Sequence, residues 1–179
     1  TELKNCLSQN KYGHIQIKKD VFLQLPKEIQ FRIINFLILN YSNKRKVVRS
    51  NSILKLLANF SKSDFNNQTL NKIIFLNDKS LITLVREVSR IDKKDSISEN
   101  TLFWDNFYEI SSLSKKSKDL KISYFGNKMK LPKKYSQFKK IIPYLPAIWE
   151  KNKLLSVPQL DSKKSQVVSC KPINLSKFI

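Results

Sequence analysis

Glycine is almost missing from this chain. Its 179 residues hold two, Gly13 and Gly126, and neither stands beside the other. Loops that cradle nucleotide phosphates need successive glycines so that backbone N–H groups can approach the ligand, and no such loop can be built here. Histidine occurs once, at His14, and cysteine twice, at Cys6 and Cys170. Three candidates so widely scattered cannot assemble a zinc site, and two free thiols suit a reducing compartment. A Ser/His/Asp or Cys/His nucleophile would have to use His14, which falls in a mixed lead-in over residues 1–22. Long apolar runs are missing as well. The longest, Ile33 to Leu39, is interrupted by Asn35 and reads as a core helix, well short of the ~20 residues of a membrane span. The first residues carry no signal-peptide pattern, and Thr1 is not an initiator. A fragment, or a mature form whose start was removed, fits that beginning.

Acidic residues are the remaining scarcity: 14 Asp and Glu face 34 Lys and Arg, for a net charge of +20. Hydrophobic content of 41 % with 11 % aromatics is enough for a packed core, so the charge does not imply disorder. The imbalance bears on partners instead. Lysine far outnumbers arginine, and a lysine acts as a flexible point charge, suited to phosphates more than to reading base edges. An AT-rich genome would also enrich Lys, Asn and Ile. The basic residues nevertheless gather. Lys44, Arg45, Lys46 and Arg49 form one run, Lys115, Lys116 and Lys118 a second, and Lys128, Lys130, Lys133, Lys134, Lys139 and Lys140 a third. Three runs with so little acidic compensation point to a nucleic acid. RNA is favoured over DNA, because no helix-turn-helix, zinc-finger or basic-zipper pattern is present.

The third run lies in the stretch around which the chain is organised, residues 130–158. Tyr135, Phe138 and Ile142 recur at helical spacing, predicting a short helix that opens after Pro132. Pro143 and Pro146 then turn the chain, and Leu154, Leu155 and Val157 read as a short strand closed by Pro158. Upstream, Ile29, Ile33, Phe36, Leu37 and Asn40 share one helix face, widened by Ile34 and Ile38. A second helix begins at Ser50, a plausible cap, and runs through Ile53, Leu54, Leu56, Leu57 and Phe60. These make a helical hairpin with a basic connector. Residues 72–76 and 81–85 predict a β-hairpin across Asn77–Ser80. Residues 92–100 read as a polar loop, 101–110 as one aromatic strand, 111–118 as a linker, and 120–125 and 166–171 as further strands.

Carboxylates offer little chemistry. Asp105 lies in an apolar strand, where a structural pairing with a nearby base outweighs a catalytic role. Arg86 and Glu87, at a strand end, read as an ion pair fixing a loop.

The order of several short motifs resembles a known family. Leu25-Pro26-x-x-Ile29-x-x-Arg32, Val48-Arg49 before Ile53-x-x-Leu56-Leu57, Arg86-Glu87 and Trp104-Asp105-Asn106 are similar to the region after the catalytic domain of tRNA(Ile)-lysidine synthases. Pro143-x-Leu145-Pro146, Val157-Pro158 and the closing Val168, Pro172, Leu175 and Phe178 resemble the C-terminal domain of alphaproteobacterial or mitochondrial-like members. The resemblance covers residues 15–179. It implies an enzyme family that ligates lysine to the wobble cytidine of an isoleucine tRNA with ATP, by a Ser-Gly-Gly-x-Asp-Ser loop absent from this chain. No active site and no cofactor are therefore expected here, ATP only where a separate catalytic domain exists.

The expected fold is α+β: an N-terminal helical hairpin, a β-rich middle segment and a small C-terminal α+β domain, divided as residues 1–110 and 111–179. The expected function is RNA binding, through Lys44, Arg45, Lys46, Arg49, Arg86, Lys133, Lys134, Lys139 and Lys140. The partner is tRNA, without a membrane, in a bacterial cytoplasm or mitochondrial matrix. The alternative is a structural protein of a large ribonucleoprotein, such as a mitochondrial ribosome, bound to rRNA.

Overall fold

The structure is a computed structural model. It describes residues 5–42, 48–62, 64–88, 95–97, 101–105, 107–112, 120–127, 130–161 and 168–174. They fall into two compact units, the first drawn from residues 1–86, 105–107 and 173–179, the second from 87–104 and 108–172. The 110/111 boundary expected from the polar run lies inside the second unit, where a strand passes through Ser111 and Ser112. Helices and antiparallel sheets together make an α+β fold. No helix among the described residues is long and apolar enough to cross a membrane.

The first unit opens with a hairpin, β1 (Leu7–Gln9) against β2 (Ile15–Lys18). Its loop is closed by Asn10, whose Oδ1 accepts from the N–H groups of Tyr12 and His14, while Gly13 adopts φ +91°. The lead-in expected over residues 1–22 is therefore ordered over its described part. Ile15 and Ile17 are fully buried, and β2 pairs with a strand almost seventy residues away, through Ile15↔Leu84 and Ile17↔Ile82. A partner so distant leaves no trace in a local window.

Three helices follow: α1 (Lys19–Gln24), α2 (Lys27–Tyr41) and α3 (Ser50–Phe60). The helical hairpin of α2 and α3 is as expected. The buried face of α2 is Gln30, Ile33, Ile34, Leu37, Ile38 and Tyr41, turned slightly from the expected stripe so that Ile29 and Asn40 are half-buried. Gln30 explains the turn. Its Nε2 donates to the carbonyls of Leu23 and Leu25, tying off the α1–α2 joint where those acceptors would otherwise be lost. On α3, Ile53, Leu56, Leu57 and Phe60 are buried and Leu54 faces outward. Ser50 is the first helical residue rather than the cap, which is Arg49. Phe60 centres an aromatic cluster, 5.1 Å from Phe65, 5.8 Å from Phe75 and 6.1 Å from Phe22. Strands β3 (Gln68–Leu70), β4 (Ile73–Asp78) and β5 (Leu81–Arg86) complete a five-stranded antiparallel sheet in the order β1-β2-β5-β4-β3. The β4–β5 hairpin is the one expected.

The second unit holds two sheets. One orders β11 (Lys153–Ser156), β10 (Pro146–Glu150), β9 (Leu120–Tyr124) and β6 (Asp95–Ser96); the other orders β12 (Val168–Pro172), β8 (Tyr108–Ser112) and β7 (Leu102–Trp104). The single aromatic strand expected over 101–110 is broken into β7 and β8, because Asp105 adopts φ +51° and turns the chain. Pro143 and Pro146 are expected only to turn the chain, yet strand β10 begins at the second of them. Proline is tolerated as the first residue of a strand, and Pro146 occupies that place, opposite Tyr124. The helix expected after Pro132 is 3₁₀, over Lys133–Phe138, with a further 3₁₀ turn at Ile142–Tyr144. Tyr135 and Ile142 are buried as expected, and Phe138 is half-buried.

With glycine scarce, tight turns fall to other residues. Asn71, Lys72, Lys79, Asp105 and Lys151 all take positive φ, between 45° and 67°. Asparagine and aspartate accept that region at small cost; lysine does so against its Cβ.

Candidate nucleic-acid interface

The third basic run spans the 3₁₀ segment of the second unit. From Lys130 to Tyr144 there are five lysines and no acidic residue. Pro132 begins the 3₁₀ segment at a fixed φ, and its carbonyl accepts from the Tyr135 N–H at 2.9 Å. Tyr135 then anchors the segment. Its hydroxyl donates to Asp161, with oxygens at 2.7 and 2.9 Å, and the same carboxylate accepts from the Val157 N–H at 2.9 Å. One aspartate thus fastens the 3₁₀ segment to the chain leaving β11. Burial raises the Tyr135 pKa above its ordinary value, keeping the phenol protonated as a donor.

Lys134 also belongs to that brace. Its ammonium lies 3.0 Å from Asp161 Oδ1 and 4.4 Å from the centre of the Tyr135 ring. The hydrogen bond with Tyr135, then that with Asp161, raises its pKa, so it remains a cation under all ordinary conditions. Lys133, Lys139 and Lys140 are exposed and form no ion pair among the described residues. The arrangement is a set of exposed cations on a segment held by the Tyr135–Asp161 brace. It can attract phosphates without being consumed by internal pairing.

Arg86 does not join them. It was expected as a phosphate contact, yet its side chain is 2 % exposed. Its Nε donates to Asp105 Oδ2 at 2.6 Å, and its Nη2 to Asp105 Oδ1 at 2.9 Å and to the Asp105 carbonyl at 3.0 Å. The guanidinium carbon also sits 5.0 Å from the centre of the Phe107 ring. A buried, bidentate arginine holds architecture rather than a ligand. Asp105 is thereby the structurally paired carboxylate that its sequence context suggested, with Arg86 as the base. Glu87 is not the partner.

Of the first basic run, Lys44, Arg45 and Lys46 lie outside the described residues, as do Lys115, Lys116 and Lys118 of the second and Lys128 of the third. Arg49 is described: it is exposed and caps α3, whose first turn contains no acidic residue. The positive end of that helix dipole is therefore not offset by a carboxylate of its own.

Sequence reasoning missed Asp161, whose role depends on contacts with Tyr135 and Val157 made across 26 and 4 positions. Only the oddity of an acid beyond a lysine-rich stretch could have drawn attention to it. Among the described residues no three His, Cys, Asp or Glu side chains gather as metal ligands. Burial pushes the Cys170 thiol up to about 12, with the Gln159 amide 3.0 Å from its sulfur, which leaves it a poor nucleophile.

No family model matches the chain. Two relatives do. The tRNA(Ile)-lysidine synthase of Wolbachia pipientis wMel is 26% identical over 164 residues, which is 88% of this chain and 38% of that protein. The tRNA(Ile)-lysidine synthase of the Wolbachia of Brugia malayi (strain TRS) is 24% identical over 169 residues, 91% of this chain and 39% of that protein. The chain thus spans under two fifths of the length of the curated relatives it matches. Over most of its own length it is similar to one part of a tRNA(Ile)-lysidine synthase.

Proposed function

We propose that this chain binds tRNA, as the non-catalytic C-terminal region of a tRNA(Ile)-lysidine synthase. The observation that carries the reading is the braced 3₁₀ segment, with Lys133, Lys139 and Lys140 exposed and, among the described residues, without an ion pair, on a run free of acids. Similarity to lysidine synthases along most of the chain supports tRNA as the particular polyanion. Phosphates are met by these three lysines, with Lys134 held alongside by Asp161, and by Arg49 with Lys44, Arg45 and Lys46. Arg86 has no part in it. Recognition rests on backbone and shape, since lysine carries little base-reading geometry. The ligase chemistry implied by the resemblance, with its ATP and lysine, belongs to sequence outside this chain, and the site of action is the bacterial cytoplasm. The ribonucleoprotein alternative has no observation of its own in its favour.

Titration of labelled tRNA across a salt series tests this. A Lys133→Ala/Lys139→Ala/Lys140→Ala variant is expected to keep its fold and to lose affinity. Its log–log salt slope should be shallower by about one unit for each phosphate contact removed. An unchanged slope at unchanged affinity would defeat the reading.

A further inference from the structure

The three-stranded sheet β12-β8-β7 has one packed face and one outward face, and the register sorts its residues between them. On the outward face Phe103 and Lys171 are exposed, and Glu109, Ser111 and Ser169 are half-buried. Trp104, Tyr108, Ile110 and Val168 are buried on the packed side. On the other side lie Phe103 opposite Glu109, Glu109 opposite Lys171, and, in the next row, Ser111 opposite Ser169. Phe103 is 65% exposed, the most exposed large apolar side chain among the described residues. A single exposed apolar side chain is ordinary on a protein surface. What distinguishes Phe103 is its company. The neighbours are a carboxylate, an ammonium and two hydroxyls, and among the described residues none of the five side chains makes a hydrogen bond, ion pair or ring contact. Glu109 and Lys171 stand side by side across two strands without bonding to each other.

From this we infer that the outward face of the sheet receives an unpaired nucleotide of the bound RNA, with the base stacked on Phe103. The aromatic face supplies stacking, which every base accepts. Glu109 accepts from an exocyclic amino group, as carboxylates do from cytosine N4. Lys171 faces the phosphate, and Ser111 with Ser169 are small enough to leave the platform open to a flat ring. The net charge of +20 favours an anionic occupant, a nucleotide of RNA, over an apolar peptide. This rests on the RNA-binding reading above but adds a base contact to its phosphate contacts.

Two RNA hairpins of the same stem separate the contributions, one blunt-ended and one with a four-nucleotide single-stranded 3′ overhang. For the wild-type chain the overhang probe should bind more tightly. Phe103→Ala should weaken it between about fivefold and a hundredfold, the range for losing one stacked base. The blunt probe should be unaffected, and the salt slope unchanged for both, because the ring is uncharged. Phe103→Trp should retain affinity, with an added fluorescence signal quenched by the overhang probe alone. Equal losses on both probes, or none on either, would overturn the inference while leaving phosphate binding intact. A change in self-association for Phe103→Ala, seen by sedimentation without loss of overhang binding, would overturn it in favour of contact between copies. A wild-type chain that binds neither hairpin nor tRNA would remove both readings together.

Discussion

Arg86 and Asp105, nineteen positions apart, form a buried pair in which the guanidinium meets both carboxylate oxygens and the aspartate's own carbonyl. Asp105 reaches it from a turn at φ +51°, so pairing and turn reinforce each other. The arginine Nη1 is buried without a hydrogen-bond partner, and the charge therefore depends on one residue for its compensation.

Removing that residue should be costly. Asp105→Ala would leave a desolvated cation alone, with an expected loss of about 3–5 kcal/mol. Arg86→Met/Asp105→Leu should lose much less than the single change, since two apolar groups carry no stranded charge. Chemical denaturation of the three proteins measures the difference. A single variant as stable as the wild type would refute the dependence.

The lysines in left-handed turns make the opposite case. Lys151 links β10 to β11 at φ +52° and is exposed. Lys151→Gly is expected to raise stability by about 1 kcal/mol, because glycine has no Cβ to clash with the following carbonyl. Lys79→Gly, at φ +45° between β4 and β5, should behave in the same way. Thermal melts of both variants supply the check.

Alkali should expose the brace of the 3₁₀ segment. Burial raises the pKa of Tyr41, Tyr135 and Tyr144 above the ordinary value near 10. A tyrosine whose folded pKa exceeds its unfolded one contributes stability that is complete below about pH 10 and disappears as pH rises through the folded value. Stability should therefore be insensitive to these groups at neutral pH and fall in strong alkali. Absorbance titration should show part of the phenols ionising only as the chain unfolds. Tyr135→Phe should remove one such group and weaken the hold of Asp161 on the segment. A single ordinary ionisation step for every tyrosine would contradict the burial.

Cys170 should be slow to react. A thiol raised to about 12 is almost wholly protonated at pH 8, whereas an ordinary thiol is roughly a quarter thiolate. Alkylation of the folded chain at Cys170 should then run about a thousandfold slower than in denaturant. Peptide mapping after timed exposure distinguishes it from Cys6, and comparable rates in both states would count against the burial.

Loss of the uncharged Phe103 ring should leave the salt slope of RNA binding unchanged, whereas loss of Lys133, Lys139 and Lys140 should flatten it. The two kinds of variant can therefore be assigned without a structure of the complex.

Much of this was legible in the chain itself, and the reason is periodicity. The apolar spacing of α2 and α3 and the hairpin of β4 and β5 are properties of neighbouring residues, as is the lysine run after Pro132; composition likewise excluded glycine-rich phosphate loops. Contacts over long separations were not legible. That Ile15 and Ile17 form a central strand depends on β5, that Pro146 opens a strand depends on β9, and that Tyr135 is held depends on Asp161. Arg86 shows the limit most plainly: an arginine reads as a surface cation until tertiary packing supplies a carboxylate and removes water. Sequence determined how much positive charge the chain bears and along which segments it runs. Only the fold decided which charges meet solvent, because burial and pairing are set by residues brought together from far apart.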